Sequence, residues 1–155
     1  MALEDTLTQS FADFFVEVEP RLRHALAVSL GSDVGVEAAA DALAYGWEHW
    51  DRVGRMTNPA GYLYRVGRSR GRSMSRIPSE LPPVREQSLP WVEVGLPAAL
   101  ESLSERQRVA VVLVHSLGWT QTEVAELLGV SQGAVRTHLE RGMKRLRSKL
   151  GVSDV

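Results

Sequence analysis

Apolar residues in the first part of the chain recur at helical steps. Phe11, Phe15, Val18, Leu22 and Leu26 stand three or four residues apart, which places them on one face of an amphipathic helix. Pro20 falls inside that run; it removes a backbone donor and crowds the preceding turn, so the pattern predicts two short helices there. A further helix is expected from about Val36 to Trp50, where Ala38, Ala39, Ala40, Ala42 and Ala44 favour helix and permit close packing. Trp47 and Trp50, three apart, share one of its faces. Asn58-Pro59 puts a good N-cap before the one helical position that favours proline, so another helix starts there, carries Tyr62, Leu63 and Val66, and ends in an arginine run. Gly61, Gly67 and Gly71 weaken it by roughly 0.5 to 1 kcal/mol each relative to alanine.

The pattern collapses between Pro78 and Pro97, where five prolines rule out a continuous helix and no alternation supports a strand. Helical signals then return with clear punctuation. Ser104-Glu105-Arg106-Gln107 and Thr120-Gln121-Thr122-Glu123 are both capping boxes, and Gly118 separates the helices they open. A last helix begins after Ser131 and runs to about Leu150, where Gly151 stops it. The fold class is all-α: two small helical domains, residues 1–77 and 98–152, joined by a proline-rich linker over 78–97, with a helix-turn-helix in the second.

The helix-turn-helix is the most specific signal in the chain. In Gln121-Thr-Glu-Val-Ala125-Glu-Leu-Leu128-Gly129-Val130-Ser131, Ala125 is small where the second helix crosses closely, and Gly129 supplies the left-handed backbone of a sharp turn. Val124, Leu128, Val130 and Val135 fill the small core between the helices. Ser131 caps the second helix and leaves Gln132, Gly133, Ala134, Arg136 and Thr137 at the end that enters a major groove, with Thr120 at the start of the first helix nearby. Arg141, Lys144 and Arg145 follow, available to phosphates.

Charge sharpens this picture. The formal net charge is −1, which argues against indiscriminate nucleic-acid binding, but the charges are sorted. Acids prevail up to Asp51, whereas Arg65, Arg68, Arg70, Arg72 and Arg76 form a basic run without an internal acid, and a second basic run extends from Arg136 to Lys149. Unpaired positive charges so close together repel unless an anion lies near, so two phosphate contacts are expected. Cysteine is absent, which removes disulfides and thiolate zinc sites, and four scattered histidines make a poor metal cluster, so neither metal nor cofactor is expected. His115 and His138 have no nucleophile beside them, and no enzyme activity is expected. No apolar run is long enough for a membrane span and Glu4 and Asp5 replace a signal peptide's basic start, so a soluble cytoplasmic protein is expected.

From Leu100 to Leu150 the order of residues, notably Leu-Ser-Glu-Arg-Gln-Arg and Gly-Trp-Thr-Gln-Thr-Glu-Val-Ala-Glu-Leu-Leu-Gly-Val-Ser-Gln-Gly-Ala-Val-Arg-Thr-His-Leu, resembles the −35-recognition domain of extracytoplasmic-function (ECF) sigma factors of the sigma-70 family. The resemblance assigns Leu103, Arg108, Val112 and Leu113 to that domain's first helices and Val135-Arg136-Thr137 to its DNA-reading helix. The first half is similar to the family's promoter-melting domain, which implies that Asp41, Trp47 and Trp50 dock on the polymerase clamp. It also implies that the helix from Pro59 meets the −10 element through Tyr62, Arg65, Arg68, Ser69, Arg72 and Arg76. The implied partners are core RNA polymerase, through its β′ clamp and β flap, promoter DNA, and an anti-sigma factor or activator protein; a membrane is not among them.

The chain departs from the family pattern where Ala44 replaces a glutamine and Ser69 and Ser73 replace an asparagine and an aspartate late in the −10 helix. Those departures favour an alternative, a helix-turn-helix regulator that binds DNA without melting promoters. A regulator of that kind is a dimer on a two-fold symmetric site, whereas a sigma factor is monomeric on two unlike elements.

Overall fold

The apolar stripe of the first segment passes through Pro20 unbroken. In the computed structural model, which describes the backbone of residues 2–75 and 95–152 and the side chains of residues 10–74 and 95–152, helix α1 runs Ala2–Leu30. The expected pair of short helices is corrected to one. Proline costs a helix interior about 3 kcal/mol. Val18, Leu22, Ala25 and Leu26, on both sides of it, are all buried, and burying a large apolar side chain contributes about 1.5–3 kcal/mol each. Packing of the whole stripe outweighs the local penalty.

Gly31, with φ of 95°, turns the chain back in a single residue, and α2 (Ser32–Glu48) starts earlier than the expected Val36. Its small residues Gly35, Ala38, Ala39 and Ala42 are buried. At Gly35 the two helices meet backbone to backbone, because a Cβ there would collide with Ala27. A short turn, α3 (Trp50–Val53), leads to α4 (Pro59–Ser75), which starts where Asn58 Oδ1 accepts the Gly61 N–H at 3.0 Å. The glycines of α4 are contact points: a Cβ on Gly67 would lie 2.6 Å from Leu26 Cδ1. The helix propensity they forfeit is offset by close approach of α4 to α1.

The second half opens with α5 (Leu96–Glu101), which takes in the last two residues assigned to the linker. Pro97 sits in its first turn, where a missing N–H has no intrahelical partner to lose. Residues 78–94 of the expected linker, with Arg76, lie outside the described residues. Helix α6 (Glu105–Val111) begins with the Ser104–Gln107 capping box and passes into a π-helical turn over Val112–Ser116, closed by Leu117 N–H donating to the Val112 carbonyl at 3.1 Å. The Thr120–Glu123 box opens α7 (Gln121–Leu128), Gly129 turns with φ of 67°, and Ser131 caps α8 (Gln132–Leu150). Val124 and Val135 are buried as expected, and Leu127 is buried too, beside a pocket it lines with Val18 and Ala60; Leu128 and Val130 are only partly buried. Among the described residues there is no strand, and no helix is long and apolar enough to cross a membrane.

The two halves meet mainly through α6 and α7 of the second against α1 and α4 of the first. Two charged residues of α6 organise the contact. Arg108 donates from Nε to the Val28 carbonyl at 3.0 Å and from Nη2 to the Ser29 carbonyl at 3.2 Å. These are end carbonyls of α1, whose last turn carries no basic residue of its own, so Arg108 satisfies acceptors the helix leaves open and complements its dipole. Glu105 accepts from Arg68 Nε at 2.7 Å, from Arg72 Nη2 at 3.0 Å and from the Ser29 hydroxyl. Farther along, Arg21 pairs with Glu123 at 2.6 Å and lies 5.5 Å over the Trp119 ring, and Asn58 donates to the Glu126 carbonyl.

Burial raises the Glu105 carboxyl, but hydrogen bonds from Arg68, Ser29 and Arg72 and the charge of Arg68 outweigh it and hold the group at about 2, below the ordinary 4.5. A depressed carboxylate stabilises the docked state above its ordinary value, and that contribution is lost as pH falls from 4.5 through about 2. An NMR titration of the intact chain is expected to show the Glu105 carboxyl with its midpoint near 2 and contacts between the halves weakening over the same window; a midpoint near 4.5 would contradict the contact. A second test concerns packing. Gly35→Ala is expected to destabilise by roughly 1–3 kcal/mol in thermal denaturation, through overpacking against Ala27. Gly133→Ala, whose Cβ meets nothing nearer than Ser131 Oγ at 3.9 Å, is expected to stabilise by about 0.5 kcal/mol.

Candidate nucleic-acid interface

Helix α8 presents two unlike faces. Val135, Leu139, Gly142 and Leu146 are buried on the side that packs against α5, α6 and α7, and a Cβ on Gly142 would stand 2.8 Å from Val111 Cγ2 of α6. The opposite side exposes Gln132, Gly133, Arg136, Thr137, Arg141, Lys144 and Arg145, with Ala134 half-buried. This separation follows from the sequence, since the buried positions fall at three- and four-residue steps and the cations between them. Hydroxyl groups at the turn are committed to shape. Ser131 Oγ accepts the Ala134 N–H at 3.1 Å, Thr120 Oγ1 accepts the Glu123 N–H at 3.1 Å, and Thr137 Oγ1 donates back to the Gly133 carbonyl at 3.0 Å. Gln132 Nε2 donates to Thr122 Oγ1 at 2.6 Å, tying the first turn of α8 to α7. Thr120 and Ser131 thus serve first as caps.

The basic side of α4 is arranged differently. Arg65 and Ser69 are exposed, Tyr62 is half-buried, and Arg76 lies outside the described residues. The expectation that the run has no partner acid is corrected: Arg68 and Arg72 share Glu105, and Arg70 pairs with Asp41 at 2.9 Å. Arg65 lies against the helix-turn-helix, its Nη1 within 2.8 Å of where a Cβ on Gly129 would be. The partner acids stand 29 to 37 residues away in sequence, beyond any local pattern.

Beside α4 is an aromatic and cationic cluster that sequence reading did not single out. Tyr45 stacks on His49 with ring centroids 4.2 Å apart, its hydroxyl stands 3.4 Å from that of Tyr62 and accepts from Arg52, and Arg70 lies 5.1 Å over its ring. The Tyr62 hydrogen bond, reinforced by Arg52 and Arg70, holds the Tyr45 hydroxyl below its ordinary value, while the same bond raises Tyr62. The four-residue step from Tyr45 to His49 was the available signal.

The polymerase-facing candidates separate. Trp50 is 7% exposed and packs on Phe11 and Phe14 with centroids at 5.2 and 4.9 Å, so it is core and supports the surface from beneath. Trp47 is 50% exposed and edges an apolar groove of about 410 Å³ between α1 and α2, lined by Phe11, Phe15, Val36 and Leu43. Asp41 lies away from that groove, on the side of α2 that meets Arg70.

Comparison with known proteins places this geometry. Residues 94–146, which hold α5 to α8 up to Leu146, match the family model described as sigma-70, region 4. An RNA polymerase sigma-E factor of Streptomyces antibioticus is 31% identical over 124 residues, covering 74% of this chain and 69% of the relative. The ECF RNA polymerase sigma factor SigE of Mycolicibacterium smegmatis is 40% identical over 77 residues, 48% of this chain and 30% of the relative. Among solved structures, the sigma factor RpoE of Bartonella quintana, in complex with the anti-sigma factor NepR, superposes with a TM-score of 0.61 at 26% identity, over 93% of this chain and 98% of that one. A relative of this identity matched over more than two thirds of its length, with region 4 falling on the helix-turn-helix, shows that the chain belongs to the sigma-70 family of RNA polymerase sigma factors, in its ECF group.

Proposed function

We propose that the chain directs core RNA polymerase to a set of promoters in the cytoplasm, supplying sequence selection and no chemistry of its own. The observation that carries this reading is the pair of DNA-directed surfaces on one chain: the exposed cationic side of α8 and the arginine side of α4 with its tyrosine and histidine neighbours. In this reading residues 1–77 hold the polymerase and the −10 element, residues 98–152 hold the −35 element, and the segment between them spans the enzyme. Gln132, Gly133, Ala134, Arg136 and Thr137 stand at the helix end that enters a major groove, and Arg141, Lys144 and Arg145 fix the helix on phosphates. Tyr62, Arg65, Arg68, Ser69, Arg72 and Arg76 hold the −10 strand, where stacking and positive charge suit a single strand.

Core polymerase meets the first half through its β′ clamp, at α2, where Trp47 edges the groove and Asp41 stands on the side facing Arg70, and the second half through its β flap. The groove edged by Trp47 supports the first of these, since it is apolar and open. An anti-sigma protein is a further expected partner, supported by the related RpoE held by one.

The direct test is transcription of fragmented genomic DNA by core polymerase with and without the purified chain, mapping transcript 5′ ends. New starts sharing two spaced motifs are expected; DNA binding without new starts would favour a regulator that does not melt promoters. Arg136→Ala is expected to weaken promoter binding and relax preference at one or two −35 positions, by roughly 1–3 kcal/mol of discrimination, read by competition with base-substituted duplexes. Lys144→Ala is expected to weaken all sequences alike and to flatten the salt dependence by about one unit of slope.

A further inference from the structure

Three donors converge on one carboxylate where the halves meet. Arg68 Nε, at 2.7 Å, and the Ser29 hydroxyl take Oε1 of Glu105, and Arg72 Nη2 takes Oε2 at 3.0 Å. All three donors come from α1 and α4; only the acceptor comes from the second half. The cradle is built rather than casual. Ser29 is 6% exposed, the Tyr64 hydroxyl hydrogen-bonds it from the core, and the Arg68 guanidinium lies 5.8 Å from the Tyr64 ring. Two anionic oxygens held by two guanidiniums and a hydroxyl is also the arrangement that binds the paired non-bridging oxygens of a phosphodiester.

We infer that Ser29, Arg68 and Arg72 form a subsite for a backbone phosphate of promoter DNA, and that Glu105 fills it as an internal substitute, so that the halves must part before α4 can hold the strand. The inference rests on the reading that α4 binds DNA, and it adds a residue, Ser29, and a gate, Glu105, that the comparisons do not assign. The contact is mutually exclusive by geometry: the same nitrogen atoms cannot serve a carboxylate and a phosphate at once. Arg65 stays exposed beside the turn at Gly129 and takes no part in the gate. Arg108, on the same helix as Glu105, fixes the docked position by capping α1, so the acid is delivered by a rigid element and not by a loop.

The chain has no cysteine, so a donor and an acceptor dye can be placed at Glu48→Cys on α2 and Lys149→Cys on α8 of the full chain, both exposed. The probe is a fluorescent single-stranded deoxyoligonucleotide of random sequence. Glu105→Gln is expected to increase the dye separation and to tighten oligonucleotide binding about tenfold, the gain if roughly a tenth of the parent molecules stand open. Adding Ser29→Ala to it should reverse part of that gain while leaving the separation wide. In the parent chain, saturating oligonucleotide should itself increase the separation, a readout that needs no substitution at the contact. An unchanged separation in Glu105→Gln, or no response of the parent to saturating oligonucleotide, overturns the gate. A wider separation with no tighter binding overturns the phosphate subsite, and leaves the promoter-selecting role intact if polymerase still starts at specific sites. Failure of both binding and specific starts overturns that role as well.

Discussion

The arrangement of this molecule depends on a short helix carrying opposite charges three residues apart. Glu105 and Arg108 lie on one side of α6 and face the first half with complementary tasks. The acid meets the cationic side of α4, and the guanidinium meets the carbonyl end of α1, where helix geometry leaves acceptors without donors and accumulates partial negative charge. Neither contact is strong by itself, since a partly exposed ion pair contributes at most about 1 kcal/mol and a hydrogen bond from a charged donor about 1.5–3 kcal/mol. Their effect comes from geometry. Bidentate and capping hydrogen bonds fix orientation as well as proximity, and they place the helix-turn-helix at a defined position on the first half.

The elements that were legible in the sequence are those whose cause is local. Two capping boxes, the Asn58 and Ser131 caps and the turn at Gly129 each satisfy backbone groups within three or four residues, so their spacing announces them. What failed was set by distance. Pro20 sits inside α1 because α2 and α4 cover the stripe on either side of it, and that coverage has no mark near the proline. The short α5 escaped notice because Pro97 reads as a breaker until it is seen in a first turn. Trp47 and Trp50 share a spacing but not a fate: Phe11 packs on both, and Phe14 adds a second ring to Trp50 alone, which is buried while Trp47 stays at the groove.

The basic run of α4 shows the same limit in the site. Five arginines without an acid among them call for an anion close by, because the charges would otherwise repel one another. The identity of that anion was not legible. Asp41 and Glu105 are supplied by α2 and α6, and only the folded chain brings them to Arg70 and to Arg68 with Arg72. A carboxylate and a phosphate satisfy the same electrostatic requirement, so a cationic pattern constrains the sign of its partner and leaves its origin open.

The two candidate DNA faces are consequently in different states in one molecule. Arg136, Thr137, Arg141 and Lys144 of α8 are exposed, while Arg68 and Arg72 of α4 are engaged by Glu105. A duplex can therefore meet the recognition helix with little rearrangement, whereas a strand at α4 must first compete with an intramolecular acid. That difference imposes an order. On the proposed reading, separation of the halves comes before a single strand is held at α4. On the proposed reading, polymerase binding at the α1–α2 groove adds its free energy to the open state only if the enzyme holds the halves apart, because a partner with equal affinity for both states shifts neither. On that reading, selectivity resides in the closed chain as well as in the bases it reads: a site that offers a good −35 contact but no strand to replace Glu105 leaves the molecule shut.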